Sequence, residues 1–181
     1  MSANPWAMKT VTTPVGPLWI VTFDHNVWSA EFQPRWDRVV ERLARAEGPE
    51  VEPGARSGRG SGLTDAGQAI RAYFRGDLGA LSAVPLSLEG PDYAQKVWRT
   101  VRKIAPGSTS TYAQVAKRAG KPEAFRATGH ANGMNPCALL VPCHRVVSST
   151  HRLTGYGGGL AAKAWLLEHE GVPNDGARLL V

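Results

Sequence analysis

The stretch that constrains this protein most is residues 135–145, Asn-Pro-Cys-Ala-Leu-Leu-Val-Pro-Cys-His-Arg. Its four apolar residues, 138–141, predict a buried strand that leads into Pro142 and Cys143. A histidine and an arginine follow the thiol directly, and a neighbouring base and cation favour the thiolate, which is the strong nucleophile. The alternative is a buried structural cysteine beside a surface histidine, which is the commoner meaning of an isolated Cys-His pair.

A base beside a thiol needs a group that orients it. Adjacent side chains usually diverge, so we expect His144 to reach Cys143 through a turn or a bridging water. Glu170 is the candidate that orients the imidazole, because a carboxylate at a helix C-terminus is disfavoured unless another interaction holds it. A solvated Glu170 is the alternative. The helix that it ends is predicted to bury Leu160, Ala164 and Leu167.

The chain ahead of this stretch predicts a mainly helical C-terminal domain over 89–181. A periodic helix with Asp92 as its N-cap ends at a Pro-Gly pair, and two short helices, 111–119 and about 123–130, follow it. Two short helices joined by a tight turn are typical of a helix-turn-helix. An ordinary αα-hairpin gives the same pattern, and both remain open.

Residues 1–88 predict a small α/β domain with a short antiparallel sheet and helices. β-Branched and aromatic residues indicate the strands, and apolar residues at helical spacing indicate the helices. The predicted strands are 9–13, 18–23 and 28–32, with a turn at 14–17, and the predicted helices are 38–46 and 64–74. Between the helices, residues 53–62 are rich in Gly, Ser and Arg and predict an exposed loop.

The composition is that of a folded globular protein. Of 181 residues, 43% are apolar and 20% are charged. The sequence lacks both an apolar run of about 18 residues and a secretory signal, so we expect a cytoplasmic protein. The two cysteines would lie about 20 Å apart on an extended chain, which predicts free thiols. We expect no metal and no cofactor.

The positive charge is concentrated in the second half of the chain. Residues 1–88 hold nine Lys or Arg and nine Asp or Glu, whereas residues 89–181 hold twelve and six, which accounts for the whole net charge of +6. The second half is therefore the candidate surface for a polyanion such as nucleic acid. A merely solvated basic face is the alternative.

Taken together, the motifs of the second half resemble the O6-alkylguanine-DNA alkyltransferase family. The resemblance rests on their order and spacing, and a turn in the first domain is similar to that of the family. The motifs are Asn-Pro at 135–136, Pro-Cys-His-Arg at 142–145, Gly-Tyr-Gly-Gly-Gly at 155–159, His-Glu-Gly at 169–171 and the turn Pro-Val-Gly-Pro-Leu at 14–18.

This resemblance implies a direct-reversal repair reaction. Cys143 would take the alkyl group from O6-alkylguanine as a stable thioether, so each chain would act once. His144 would accept the thiol proton through a water, Glu170 would stabilise the imidazolium, and Asn135 would brace the turn that carries the nucleophile. Activity on O4-alkylthymine is left open.

The resemblance also implies a winged helix-turn-helix that binds double-stranded DNA and flips the damaged base out of the stack. Arg126 would fill the gap that the flipped base leaves. Tyr112 would rotate the 3′ phosphate and donate to the guanine ring. The other residues expected at the DNA are Ala127, Thr128 and Gly129.

In the substrate pocket, the resemblance implies that backbone groups of Cys143 and Val146 recognise the exocyclic amine and that the Gly157 amide donates to the oxygen. Tyr156 would form a wall of the pocket. Glycine at 157 departs from members that carry serine there, so we expect recognition to survive and pocket size to change. The expected state is a monomer, and clustering on DNA is left open.

Three other classes of protein remain as alternatives. A non-catalytic lesion-binding protein would lack the nucleophile, and Cys143 argues against it. A Cys-His hydrolase would need an oxyanion hole and a deacylating water, and its histidine is usually distant in sequence. A regulator that senses alkylation would carry an added regulatory domain.

Overall fold

The computed structural model describes residues 5–46 and 61–180, and the chain divides into two compact units. The first unit ends at Ser87 and the second begins at Leu88. This division lies one residue from the predicted boundary. Within the described residues, no helix is long and apolar enough to cross a membrane.

The first unit is built on a three-stranded antiparallel sheet in the order β1-β2-β3. The predicted strands are confirmed, and each begins two or three residues earlier than expected. Helices α1 and α2 follow the sheet and are also confirmed. The elements are β1 (Trp6–Thr13), β2 (Gly16–Phe23), β3 (Asn26–Phe32), α1 (Trp36–Arg45) and α2 (Ser61–Phe74).

Tryptophan dominates one core of this unit, where α1 packs on the sheet. Trp36, Val39 and Leu43 recur at spacings of three and four, so they share the buried face of α1. Strand residues complete this core, and its members are Met8, Trp19, Val21, Trp28, Trp36, Val39 and Leu43, with Trp6 packed against them.

The start of α2 lies against the turn between β2 and β3. A Cβ at Gly62 would come within 1.9 Å of the His25 carbonyl oxygen, so a larger residue does not fit there. The predicted loop 53–62 is therefore wrong for its last two residues, which are helical. Residues 53–60 lie outside the described residues.

The second unit holds four helices and a short parallel pair of strands. Its elements are α3 (Asp92–Arg102), β4 (Ser110–Thr111), α4 (Tyr112–Arg118), α5 (Phe125–Gly133), β5 (Val146–Val147) and α6 (Leu160–His169). All four predicted helices are present. Asp92 is the first helical residue and not the N-cap, a position that Pro91 occupies. Thr111 caps α4 in a capping box with Gln114.

The apolar run 138–141 is buried as predicted but does not form the predicted strand. It is a tight turn, in which the Val141 amide donates to the Cys137 carbonyl at 2.8 Å and Leu139 has a positive φ of 72°. A short apolar run between special turn residues is compatible with either structure, because burial alone does not define backbone geometry.

Helix α6 buries a different face from the one predicted. Its buried residues are Ala162, Lys163, Leu166 and Leu167. Leu160 is 44% exposed, which contradicts the prediction, and Leu167 is buried as expected. The prediction failed because the buried face carries a lysine and ends at Glu170, so its apolar pattern is interrupted by charge.

Candidate active site

Cys143 begins a single turn of 3-10 helix, Cys143–Arg145, directly before β5. Its amide donates to the Val141 carbonyl at 2.7 Å, and its carbonyl accepts from the Val146 amide. The side chain is 5% exposed. Both cysteines are buried and neither forms a disulfide, as expected from their spacing. The thiol is thus held at the junction between the 137–142 turn and β5.

The Asn135 side chain closes the turn that precedes Cys143. Its amide nitrogen donates to the Val141 carbonyl at 2.8 Å, and its oxygen accepts from the Cys137 amide at 3.0 Å. Asn135 is buried, so these bonds are not exchanged with water. This geometry is that of a brace, the role expected for Asn135.

Glu170 is the C-cap residue of α6, and its carboxylate joins two neighbours of the thiol. One oxygen lies 2.9 Å from His144 Nε2 and accepts from Arg145 Nη2 at 2.7 Å. The other accepts from Arg145 Nε at 2.8 Å. Arg145 also donates to the Ile104 carbonyl. The solvated alternative for Glu170 is therefore excluded, since its side chain is fully buried.

The charges in this cluster are arranged so that His144 is neutral and Glu170 is ionised. Burial opposes the ionisation of Glu170, but hydrogen bonds from His144 and Arg145 hold its pKa well below its usual range. Burial lowers the pKa of His144, and the hydrogen bond to Glu170 opposes that shift only in part. A neutral imidazole that donates from Nε2 carries its lone pair on Nδ1.

The other ring nitrogen of His144 is available as a base. Nδ1 is buried and has no hydrogen-bond partner among the described residues. A buried polar atom without a partner is costly unless it has a function or binds water. The Arg145 cation, in contrast, is committed to Glu170 and does not lie free beside the thiol as the sequence pattern suggested.

Lys163 is a buried residue of this site that sequence reasoning missed. It is 0% exposed, and its Nζ donates to the Val146 carbonyl at 2.6 Å and to the Thr154 carbonyl at 2.7 Å. Burial lowers its pKa to about 8, and the charge of Cys143 opposes that shift. A signal was present, because Lys163 precedes Leu166 and Leu167 by three and four residues and so shares their face.

Tyr112 begins α4, and Tyr156 lies in the loop before α6. The Tyr112 hydroxyl lies 3.0 Å from Thr154 Oγ1. The Tyr156 ring stands edge-on to His144, with the ring centroids 6.0 Å apart. The two predicted pocket residues Val146 and Gly157 are buried and half-buried respectively. The Val146 carbonyl already accepts from Lys163, and it keeps a second lone pair for a ligand.

Helix α5 presents part of its first turn to solvent. Arg126 and Ala127 are exposed, as expected of residues that contact DNA, and Gly129 is half-buried against the Tyr112 ring. Thr128 differs from the expectation, because it is 0% exposed and its hydroxyl lies 2.7 Å from the Tyr93 hydroxyl. Thr128 faces α3, so it anchors the helix and does not present its side chain outward.

Comparisons with known proteins agree with this geometry. Residues 92–172 match the family described as 6-O-methylguanine DNA methyltransferase, DNA binding domain. The methylated-DNA–protein-cysteine methyltransferase of Shigella flexneri is 38% identical over 167 residues, which cover 90% of this chain and 94% of that protein.

Two solved structures match over both units. Mycobacterium tuberculosis OGT in complex with DNA has a TM-score of 0.71 at 33% identity and covers 91% of this chain and 92% of its own. O6-methylguanine-DNA methyltransferase from Pyrococcus kodakaraensis has a TM-score of 0.68 at 26% identity, with coverages of 91% and 98%. Since the similarity in sequence and in fold spans nine tenths of the chain, this protein belongs to the methylated-DNA–protein-cysteine methyltransferase family.

Proposed function

We propose that this protein repairs DNA by moving an alkyl group from O6 of an alkylated guanine onto Cys143, once per chain. The observation that carries the proposal is the buried relay beside the thiol. Glu170 accepts from His144 Nε2, and the opposite nitrogen, Nδ1, is left with a lone pair and no partner among the described residues. Such a relay is a means of removing a proton from a nucleophile.

The proton leaves first. Neutral His144 takes the Cys143 proton through a water, because side chains adjacent in sequence diverge and do not meet directly. Ionised Glu170 stabilises the imidazolium that forms, and Arg145 keeps Glu170 ionised and in place. The negative charge of the Cys143 thiolate raises the pKa of buried Lys163 against the effect of burial, so an ammonium at Lys163 in turn stabilises the thiolate.

The alkyl group then moves by in-line displacement. The Cys143 sulfur forms a bond to the alkyl carbon while the bond from that carbon to O6 breaks, and guanine departs with the electron pair. Guanine takes up one proton, which balances the proton that the thiol gave up, and Tyr112 assists by donating to the ring. A thioether is stable to water, so the chain is not regenerated.

DNA binding is assigned to the helix-turn-helix of α4 and α5, with a wing from the neighbouring strands. O6 lies inside the base stack, so the nucleotide must be flipped out to reach the buried thiol. Exposed Arg126 is placed to fill the vacancy, and the adjacent Ala127 is small enough for close approach. The excess of cations in residues 89–181 supplies the attraction to phosphate.

The flipped base is assigned to a pocket between β5 and residues 154–159. The carbonyls of Cys143 and Val146 accept from the exocyclic amine, the Gly157 amide donates to O6, and Tyr156 forms a wall. O4-alkylthymine carries an equivalent alkylated exocyclic oxygen and is a candidate second substrate. We further propose that the protein acts as a monomer in the cytoplasm and that neighbouring copies can cluster on long DNA.

Intact-protein mass spectrometry after incubation with excess O6-methylguanine duplex tests the proposal. We expect one methyl adduct per chain, mapped to the peptide with Cys143, and no adduct on Cys143→Ala, which still binds DNA. Tight lesion binding without an adduct would indicate a recognition protein instead. Repeated turnover without an adduct would indicate an enzyme of another class.

A further inference from the structure

Phe125 is an exposed aromatic residue at the start of α5. It is 49% exposed, although it precedes Thr128 and Asn132 at helical spacing and so begins the stripe that this helix buries. Thr128 is 0% exposed and Asn132 is 4% exposed. The buried face of α5 thus begins with Phe125, a residue that the rest of the protein leaves exposed.

The exposure of Phe125 occurs on a firmly anchored helix. The Thr128 hydroxyl is bonded to Tyr93, and the Trp98 indole nitrogen donates to the Ala131 carbonyl at 2.7 Å, so α5 is tied to α3 at two successive turns. Its first turn is closed by the Thr128 amide, which donates to Ala124 at 2.8 Å. The ring is therefore presented by a rigid element.

The surroundings of the ring indicate what it contacts. The Arg126 guanidinium lies 5.9 Å from the Phe125 ring centre. Lys121 lies 5.0 Å from the ring centre of Tyr93, whose hydroxyl is bonded to Thr128 on the next turn of α5. Exposed Lys117 and Arg118 end α4, and Glu123 is the acidic residue between the two helices. An apolar ring among mostly cationic groups suits a ligand with negative charge and flat apolar faces, which is nucleic acid.

We propose that Phe125 stacks on a nucleobase beside the lesion, next to the gap that Arg126 fills. This inference rests on the proposed repair function. Consecutive helix residues point about 100° apart, so Phe125 and Arg126 can contact neighbouring bases from one turn. The two side chains do different work. Arginine offers hydrogen bonds to the unpaired partner of the flipped guanine, and phenylalanine replaces stacking that flipping removes.

Rates of methyl transfer to a 16-base-pair duplex with one O6-methylguanine give the first test. We expect Phe125→Ala and Phe125→Leu to lower the second-order rate constant by about 10-fold, and Phe125→Trp to retain it, since only aromatic rings stack. Leu180→Ala removes another exposed apolar residue, 56% exposed, and is the matched control that leaves the rate unchanged. Thermal unfolding verifies that each variant is folded.

Fluorescence of 2-aminopurine beside the lesion gives a second test that needs no alkyl transfer. In a Cys143→Ser background, 2-aminopurine on the 5′ or 3′ side should be brighter in the complex with Phe125→Ala than with Phe125, because the probe is no longer stacked on the ring. This fluorescence test is independent of the repair function. If the repair function were wrong, the wild-type protein would acquire no methyl adduct.

Three results would overturn the inference. The first is an unchanged rate and unchanged fluorescence at both probe positions in Phe125→Ala. The second is full activity of Phe125→Leu, which would reduce the role to apolar contact. The third is a defect that is found only on long DNA loaded with many copies, which would place Phe125 at a contact between proteins.

Discussion

At the scale of single residues, Glu170 determines the chemical state of the site. It accepts hydrogen bonds from His144 and from Arg145, and no water-exposed surface remains on its side chain. Its negative charge selects the His144 tautomer that donates from Nε2. The rate of methyl transfer should therefore start to fall only below pH 6.5, because burial keeps His144 neutral down to a lower pH than a free imidazole.

Glu170→Gln should lower the rate of methyl transfer at least about a hundredfold, because the amide NH2 cannot accept from Arg145 Nε and the neutral side chain no longer stabilises the imidazolium. The rate is measured with O6-methylguanine duplex under single-turnover conditions, and DNA binding is measured alongside. Glu168→Gln is the control, since Glu168 is exposed on the same helix. A Glu170→Gln rate within twofold of wild type would contradict the relay.

Lys163→Met should lower the transfer rate about tenfold at pH 7, because two carbonyls lose a charged donor and the thiolate loses a nearby cation. The deficit should shrink as the pH rises from 7 to 9, since the wild-type lysine has a pKa of about 8 and loses its charge in this range. Rates across this range test it, with Lys103→Met, an exposed residue, as the control. A deficit that is constant with pH would leave Lys163 a purely structural role.

At the scale of elements, the contact between α3 and α5 sets which side of α5 is free. Tyr93 and Trp98 of α3 hold Thr128 and Ala131, so the first turn of α5 is left with Phe125 and Arg126 outward. The rotation of a DNA-facing helix about its own axis decides which side chains reach the grooves. The half-buried Tyr93–Thr128 hydrogen bond therefore orients the helix that we propose to bind DNA.

Tyr93→Phe should destabilise the protein by about 1–2 kcal/mol, because it leaves the buried Thr128 hydroxyl without its partner. Thr128→Val should cost less, because Tyr93 is only half-buried and water can bond to its hydroxyl. The double variant should cost less than the sum, since both partners are then removed together. Urea unfolding of the four proteins gives the coupling free energy. Additive effects would show that the two hydroxyls do not interact.

At the scale of the whole molecule, both units bury ionisable side chains. The second unit buries charges at the site, and the first buries the carboxylate of Glu31. Glu31 on β3 is 2% exposed, one of its oxygens has no hydrogen-bond partner among the described residues, and Arg35 lies 4.0 Å away. Desolvation raises the pKa of Glu31 to about 7, and Arg35 and Arg42 offset the shift only in part.

Glu31 should therefore contribute a loss of stability between pH 5 and pH 8, while buried His144, whose pKa is lowered, contributes in the opposite direction. The Glu31 carboxyl holds its proton more tightly in the folded protein than in the unfolded chain. Its protonation therefore stabilises the fold fully below pH 4.5, and this contribution is lost as the pH rises through about 7. The contribution of Glu31 to this loss is about 2–3 kcal/mol. Glu31→Gln should abolish most of it, and exposed Glu41→Gln should not. Urea unfolding at both pH values measures the difference, and identical pH dependence in Glu31→Gln would contradict it.

The sequence by itself determined the features that depend on residues close together along the chain. Strands, helices and the Pro-Cys-His-Arg motif could be predicted, because turn residues, side-chain periodicity and a contiguous motif are readable along the chain. The pairing of His144 with Glu170 was a candidate, since a carboxylate at a helix C-terminus is disfavoured without a partner, but a solvated Glu170 stayed open until the structure showed the contact. Family resemblance supplied the roles of Arg126 and Tyr112, which no local pattern specifies.

Only the tertiary structure decided how distant residues are oriented. Thr128 turned inward because Tyr93, 35 residues earlier, provides its hydrogen-bond partner. The run 138–141 became a turn because the Asn135 side chain closes it. Lys163 entered the site because the carbonyls of Val146 and Thr154 compensate a buried ammonium. In each case the deciding contact joins residues that come together only when the chain folds. The pattern along the sequence therefore does not reveal it.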